Sequence, residues 1–185
     1  IIFASKSPDF ANIIKFKQEN PEKVVLLFGN HEMSYLYMDY GFSCSGFRQD
    51  IAFDIKDLLT VNIDLFQNAY QENKVIFTHA GIHDGWFKYN FKGDYSKNIA
   101  EQLNNPKNQS QFLALHDVGR SRGGYKKIGG IFWCDKSELK KPLKGFTQVV
   151  GHTPVKKQIT YIQKKSVVYF IDCKNKEVEP FIIEI

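Results

Sequence analysis

Phe10, Ile13 and Ile14 stand at i, i+3 and i+4, which predicts an amphipathic helix over residues 9–19 that ends at Asn20-Pro21. Ile1 to Phe3 has the composition of a strand end. The continuous apolar run VVLLF (24–28) predicts a buried strand that feeds into Gly29-Asn30-His31-Glu32. An aromatic-rich helical stretch follows, interrupted by Gly41 to Gly46. A second helix is expected around Ile63 to Tyr70, then a strand KVIFT (74–78) ending at His79-Ala80-Gly81. Residues 94–120 read as helical but polar, a cap over the surface. RGGYKKIGG (122–130) precedes a short strand IFW (131–133), and Gln148 to Val150 leads into Gly151-His152-Thr153-Pro154. The tail reads as strands at Ile159–Gln163, Ser166–Ile171 and Val178–Glu184. Helices and strands alternate first and strands dominate later, so the expected class is an α/β layered domain.

Composition narrows this little. The 185 residues suit one domain, 1–185, and 43% hydrophobic with 15% aromatic residues supports a packed core. No apolar run approaches the roughly 18–20 residues of a membrane span. The net charge of +5 is spread along the chain, densest at Lys126-Lys127, Lys140-Lys141 and Lys156-Lys157. These pairs read as solvated loop lysines or as a mild positive field for phosphorylated substrates. No basic helix or aromatic-interleaved motif supports nucleic-acid binding. Cys44, Cys134 and Cys173 are far apart and form no CxxC pair, so cytoplasmic residence is the default expectation. Ile1 opens an apolar stretch with no Met or cationic segment before it, and the beginning reads as a cut end.

Three buried-looking strands each run into a short segment carrying a His next to a Gly: GNHE (29–32), THAG (78–81) and GHTP (151–154). A rigid strand end can hold a ligating or catalytic side chain in an open cleft, and the glycine lets the backbone turn there. Each tetrapeptide alone is weak evidence. Three at strand ends make chance a poor explanation.

On these residues, together with FWCD (132–135) and PEKVVLLFGNHE (21–32), the chain resembles the calcineurin-like metallophosphoesterases over about residues 8–175. The similar branch is that of the phosphoprotein phosphatases and diadenosine tetraphosphatases. The resemblance implies a layered α/β/β/α sandwich of the metallophosphoesterase type, lacking its first strands. It implies that Asn30, His79 and His152 ligate one divalent transition metal, Mn or Fe/Zn, with two ions in the intact enzyme. It further implies that His31 protonates the leaving oxygen and that a metal-bridging water attacks phosphorus. Arg122 is the candidate for the phosphate contact, with Arg120 second, since guanidinium binds phosphate bidentately. Phosphorylated substrates, phosphoprotein or nucleotide, would be the partners.

The chain departs from that pattern upstream of GNHE, where the family's Asp-x-His and Gly-Asp-x-x-Asp-Arg-Gly segments have no counterpart. A fragment lacking half of the dinuclear site and inactive alone is therefore expected, and a non-catalytic remnant or interaction module is the alternative. Asp135 reads as part of the cleft wall, His83 as a loop residue and His116 as structural. The cysteines are not expected to be nucleophiles.

Overall fold

The computed structural model describes residues 7–38, 44–173 and 180–185, with side chains from residue 10 onward. Ile1 to Phe3 and Val178 therefore lie outside the described residues. The chain divides into two compact units, Ile1–Gln67 and Asn68–Ile185.

In the first unit, helix α1 spans Ser7–Glu19 and buries Phe10 and Ile14, the stripe expected from their spacing. Strand β1 (Leu26–Leu27) pairs in parallel with β2 (Phe66–Gln67). Phe66 gathers this core by stacking on Phe10 and Phe28, with ring centroids 5.9 and 5.1 Å away. Helix α2 (Asn30–Tyr37) begins where GNHE was expected to form a strand-end loop. Gly29 takes the N-cap position, and its N–H donates to the Glu32 carboxylate at 2.8 Å. The second expected helix lies earlier, as α3 (Ala52–Val61). Asn62 closes it by donating its side-chain amide to the Leu58 carbonyl at 2.9 Å, which releases Ile63–Leu65 into a 3₁₀ turn.

The second unit is built on a mixed five-stranded sheet of β3 (Ala69–Glu72), β4 (Val75–Thr78), β5 (Thr147–Val150), β6 (Ile159–Gln163) and β7 (Ser166–Phe170). Its order is β3-β4-β5-β7-β6. The central pairs β4·β5 and β5·β7 are parallel and the two edge pairs antiparallel. The class is therefore α/β. Ala80, Cys134, Leu139, Val150, Val155, Val168 and Phe170 form one buried cluster in this unit.

Two expectations fail in this unit for local reasons. Residues 94–120 are helical as expected, in α4 (Ile99–Asn104) and α5 (Gln109–Leu115), but they are not a polar cap, since Ile99 and Leu103 are fully buried. Asn104 anchors α4 to β3 by accepting from the N–H groups of Asn68 and Ala69 and donating to the Ala69 carbonyl. IFW (131–133) is a turn, not a strand: the Trp133 and Cys134 N–H groups return to the Gly130 carbonyl. The tail strands at 159–163 and 166–170 form as expected, whereas 180–185 carry no regular structure. Among the described residues no helix is long and apolar enough to cross a membrane.

Candidate functional site

Strands β4 and β5 are neighbours in parallel register, Thr78 opposite Val150, so the segments leaving them emerge side by side. Ligands of α/β sheets bind beyond the carboxyl ends of such strands. The turn after β4 is fixed from several directions. The Thr78 hydroxyl accepts from the Gly81 N–H at 3.1 Å, and the Ala80 N–H donates to the Ile131 carbonyl at 2.8 Å. Gln148, fully buried, accepts from the Ile82 N–H at 2.8 Å and donates to the Ile82 carbonyl at 3.0 Å. Gly81 turns the chain at φ +102, a region that glycine adopts without steric cost. The Gly151 N–H donates to the His79 carbonyl at 2.9 Å and ties the two exits together.

His79 and His152 are both buried, and His79 Nε2 lies 3.0 Å from His152 Nδ1. One of these nitrogens donates and the other accepts, so the bond holds a single proton between the two rings. His152 has φ +63, a left-handed backbone costly for a residue with a Cβ. Strain of this kind persists where the surroundings hold it, often at functional sites.

Arg122 ends a 3₁₀ turn (Arg120–Arg122) that Gly123 closes at φ +83. Its Nη2 pairs with the Asp135 carboxylate at 2.9 Å, donates to Thr153 Oγ1 at 3.0 Å and lies 3.5 Å from the His152 carbonyl. Its Nε–H is buried and finds no acceptor among the described residues. Burial would raise the Asp135 carboxyl. Hydrogen bonds from the Ser137 backbone and hydroxyl and the charges of Arg122 and His152 outweigh burial and hold it below its ordinary value. Behind this group, buried Glu138 accepts from the Ser121 and Gly129 N–H groups at 2.9 Å and from the Asp135 N–H at 3.4 Å.

The structure thus brings His79, His152 and Arg122 together. Asn30 and His31 belong to the first unit, as the first two residues of α2. Burial holds the His31 imidazole below its ordinary pKa, which favours the neutral ring over the protonated one expected. The side chain of Arg120 is exposed. His116 is buried between the rings of Phe112 and Phe132, each centred 5.0 Å away, and burial lowers its pKa to about 4. Burial, reinforced by the Glu138 and Asp135 charges, drives the Cys134 thiol well above its usual pKa, so it supplies no thiolate nucleophile.

The expected Mn or Fe/Zn centre is not upheld. Among the described residues no group of three or more His, Cys, Asp or Glu side chains is placed to hold a metal ion. Such sites are closed by three or four protein donors. The residues present do not fit the implied group.

No protein-family model matches the chain, and no curated protein matches it. Among solved structures, its fold is similar to that of a cold-active protein-tyrosine phosphatase of a psychrophile, Shewanella sp. The TM-score is 0.54 at 16% identity, covering 93% of this chain and 58% of that one. A second structure described as a cold-active protein tyrosine phosphatase gives 0.52 at 16% identity, over 90% and 53%. The chain therefore spans little more than half the length of these proteins. The resemblance to calcineurin-like metallophosphoesterases, with its sandwich, is corrected by these findings. No family model returns it, and the structures of like fold are described as protein-tyrosine phosphatases.

Proposed function

We propose that the chain carries the phosphate-binding part of a phosphatase that hydrolyses phosphate esters, on a phosphoprotein or a nucleotide. The observation that carries this reading is Arg122: a guanidinium fixed through Nη2 by Asp135 and Thr153, 3.5 Å from the His152 carbonyl, on a side chain still 26% exposed. The guanidinium keeps further N–H donors for phosphoryl oxygens, and a phosphoryl group in transfer is stabilised largely by fixed donors of this kind. Water attacks phosphorus as the ester P–O bond breaks, and the His79–His152 pair can give the departing oxygen its proton and be reprotonated by the one the attacking water releases. The fold likeness to proteins described as phosphatases supports the same class.

The test is hydrolysis of p-nitrophenyl phosphate, together with vanadate binding, by the chain and by its Arg122→Gln, His152→Asn and His31→Ala variants. Arg122→Gln is expected to lower kcat/KM by about 10²–10³, the size typical of a lost oxyanion donor. Vanadate binding that weakens in Arg122→Gln, without turnover by any form, assigns the chain to a non-catalytic phosphate-binding module. Turnover and vanadate affinity unchanged in folded Arg122→Gln and His152→Asn would refute the proposal.

A further inference from the structure

A cavity of about 540 Å³ lies in the second unit, and its lining includes Ser137 and Glu138. One wall is a π-helix, Trp86–Phe91, closed by Lys92 in the left-handed region and by the Gly93 N–H donating to the Phe87 carbonyl at 2.9 Å. π-Helices are rare and recur at functional sites, because the wider turn re-aims the side chains it carries. This one brings buried Trp86 and exposed Tyr89 to the cavity. The Trp86 indole N–H is buried and finds no acceptor among the described residues.

Lys127, Lys140 and Lys141 also line the cavity, with Glu138 as its one carboxylate. None of the three makes an ion pair among the described residues. Their backbone is held in place. The Asp84 N–H donates to the Lys141 carbonyl at 2.8 Å, the Leu143 N–H to the Ile82 carbonyl at 3.0 Å, and Tyr161 Oη to the Lys140 carbonyl at 3.1 Å. The Gly129 N–H on Glu138 fixes the end of the segment carrying Lys127.

His83 is a further lining residue. Its Nδ1 accepts from the N–H groups of Gly85 at 3.0 Å and Trp86 at 3.3 Å. That assignment leaves the proton on Nε2, so the ring offers the cavity a donor. Burial lowers the His83 pKa, with smaller contributions from Lys141 and Lys127 in the same direction, opposed by Asp84 and Glu138, and this agrees with a neutral donor.

We propose that this cavity is a binding site for a planar aromatic anion of nucleotide size, its ring against exposed Tyr89 with Trp86 in the wall, and its charge among Lys127, Lys140 and Lys141. The volume falls within the roughly 300–1,000 Å³ of small-molecule sites. Three lysines line this cavity against one carboxylate, Glu138, whose oxygens are taken up by backbone N–H groups, and an excess of cationic side chains around a concave, partly apolar site draws anions to it. The ring is required as well as the charge, because aromatic side chains share the lining. A nucleoside monophosphate and a small aryl phosphate share this chemistry. The site stands apart from the Arg122 centre and does not depend on phosphatase activity.

The chain has two tryptophans, Trp86 and Trp133, so Trp133→Phe leaves Trp86 as the one indole reporter. In that background, AMP and phenylphosphonate are titrated against Trp86 fluorescence, with inorganic phosphate as the ringless probe. Saturable change with either aromatic probe is expected at sub-millimolar concentration, weakened about tenfold or more by Lys140→Gln/Lys141→Gln and several-fold by Tyr89→Ala, and retained in Arg122→Gln. Tighter AMP binding identifies the nucleotide as the natural form, and tighter phenylphosphonate binding the small aryl group. No saturable change with either probe up to about 10 mM overturns the site. So does binding that inorganic phosphate matches, that survives loss of both lysines, or that vanishes in Arg122→Gln.

Discussion

Replacing Glu138 with Gln tests how the Arg122 loop is held. The carboxylate accepts from three backbone N–H groups, of Ser121 at one oxygen and of Gly129 and Asp135 at the other. A hydrogen bond to a charged group contributes about 1.5–3 kcal/mol net. Glutamine has one acceptor oxygen, so one side is kept at the weaker neutral strength. The other side sets an amide NH₂ against a backbone donor. The side chain has little room to turn away, since a Cβ built on Gly119 would come within 2.2 Å of both carboxylate oxygens. One charge-assisted bond lost and one N–H left buried come to roughly 2–4 kcal/mol. Urea unfolding followed by tryptophan fluorescence reads the second unit, because both tryptophans lie there. With a slope of about 2 kcal/mol per M, the midpoint should fall by about 1–2 M without a change in slope. A midpoint within about 0.2 M of the parent would show that the loop does not rest on this carboxylate.

At position 152 the left-handed backbone predicts an inversion of the usual order, with His152→Gly more stable than His152→Ala by about 1–2 kcal/mol, read from paired denaturation curves. Equal stabilities would mean that the backbone relaxes once the imidazole is gone. His116 predicts a pH dependence. Its pKa of about 4 in the fold lies below the ordinary 6.5, so the unfolded chain takes up the proton first. This contribution to stability is present above about pH 6.5 and is lost as the pH falls toward 4. His116→Phe should flatten the stability curve in that window, and an unchanged slope would remove His116 as its source.

Much of the second unit's sheet is legible from local sequence. The runs VIFT, TQVV and SVVYF are short, rich in β-branched and aromatic residues, and bounded by turn residues, and each forms the strand it predicts. The misplaced helix at 63–70 shows the limit, since its apolar spacing suits a helix while the Asn62 cap has already ended one. The two helices within 94–120 are also marked locally. Asn98 and Asn108 are N-cap residues accepting from Glu101 and Gln111, and Ile99 and Leu103 stand four apart on the buried face. The histidines of THAG and GHTP announce themselves near glycine at strand ends. Glu138 does not, because Ser121 and Gly129, whose N–H groups it accepts from, lie 17 and 9 residues away and only the folded loop brings them together. The family resemblance drew on the motifs alone, and the donor set placed around them does not complete the metal centre it implied.

The parallel pairing of β4 with β5 also governs when this site can exist. His79 and His152 touch across 73 residues of chain, because parallel neighbours cannot be joined by a tight turn. During folding the entropy of closing that loop opposes contact before any hydrogen bond between the imidazoles rewards it. The crossover brings its own ballast in α4 and α5, whose buried Ile99, Leu103 and Leu115 can condense while the loop is still open. The imidazole pair is therefore among the last contacts to form, and a lesion in the crossover far from either histidine can leave both strands intact while the pair never meets.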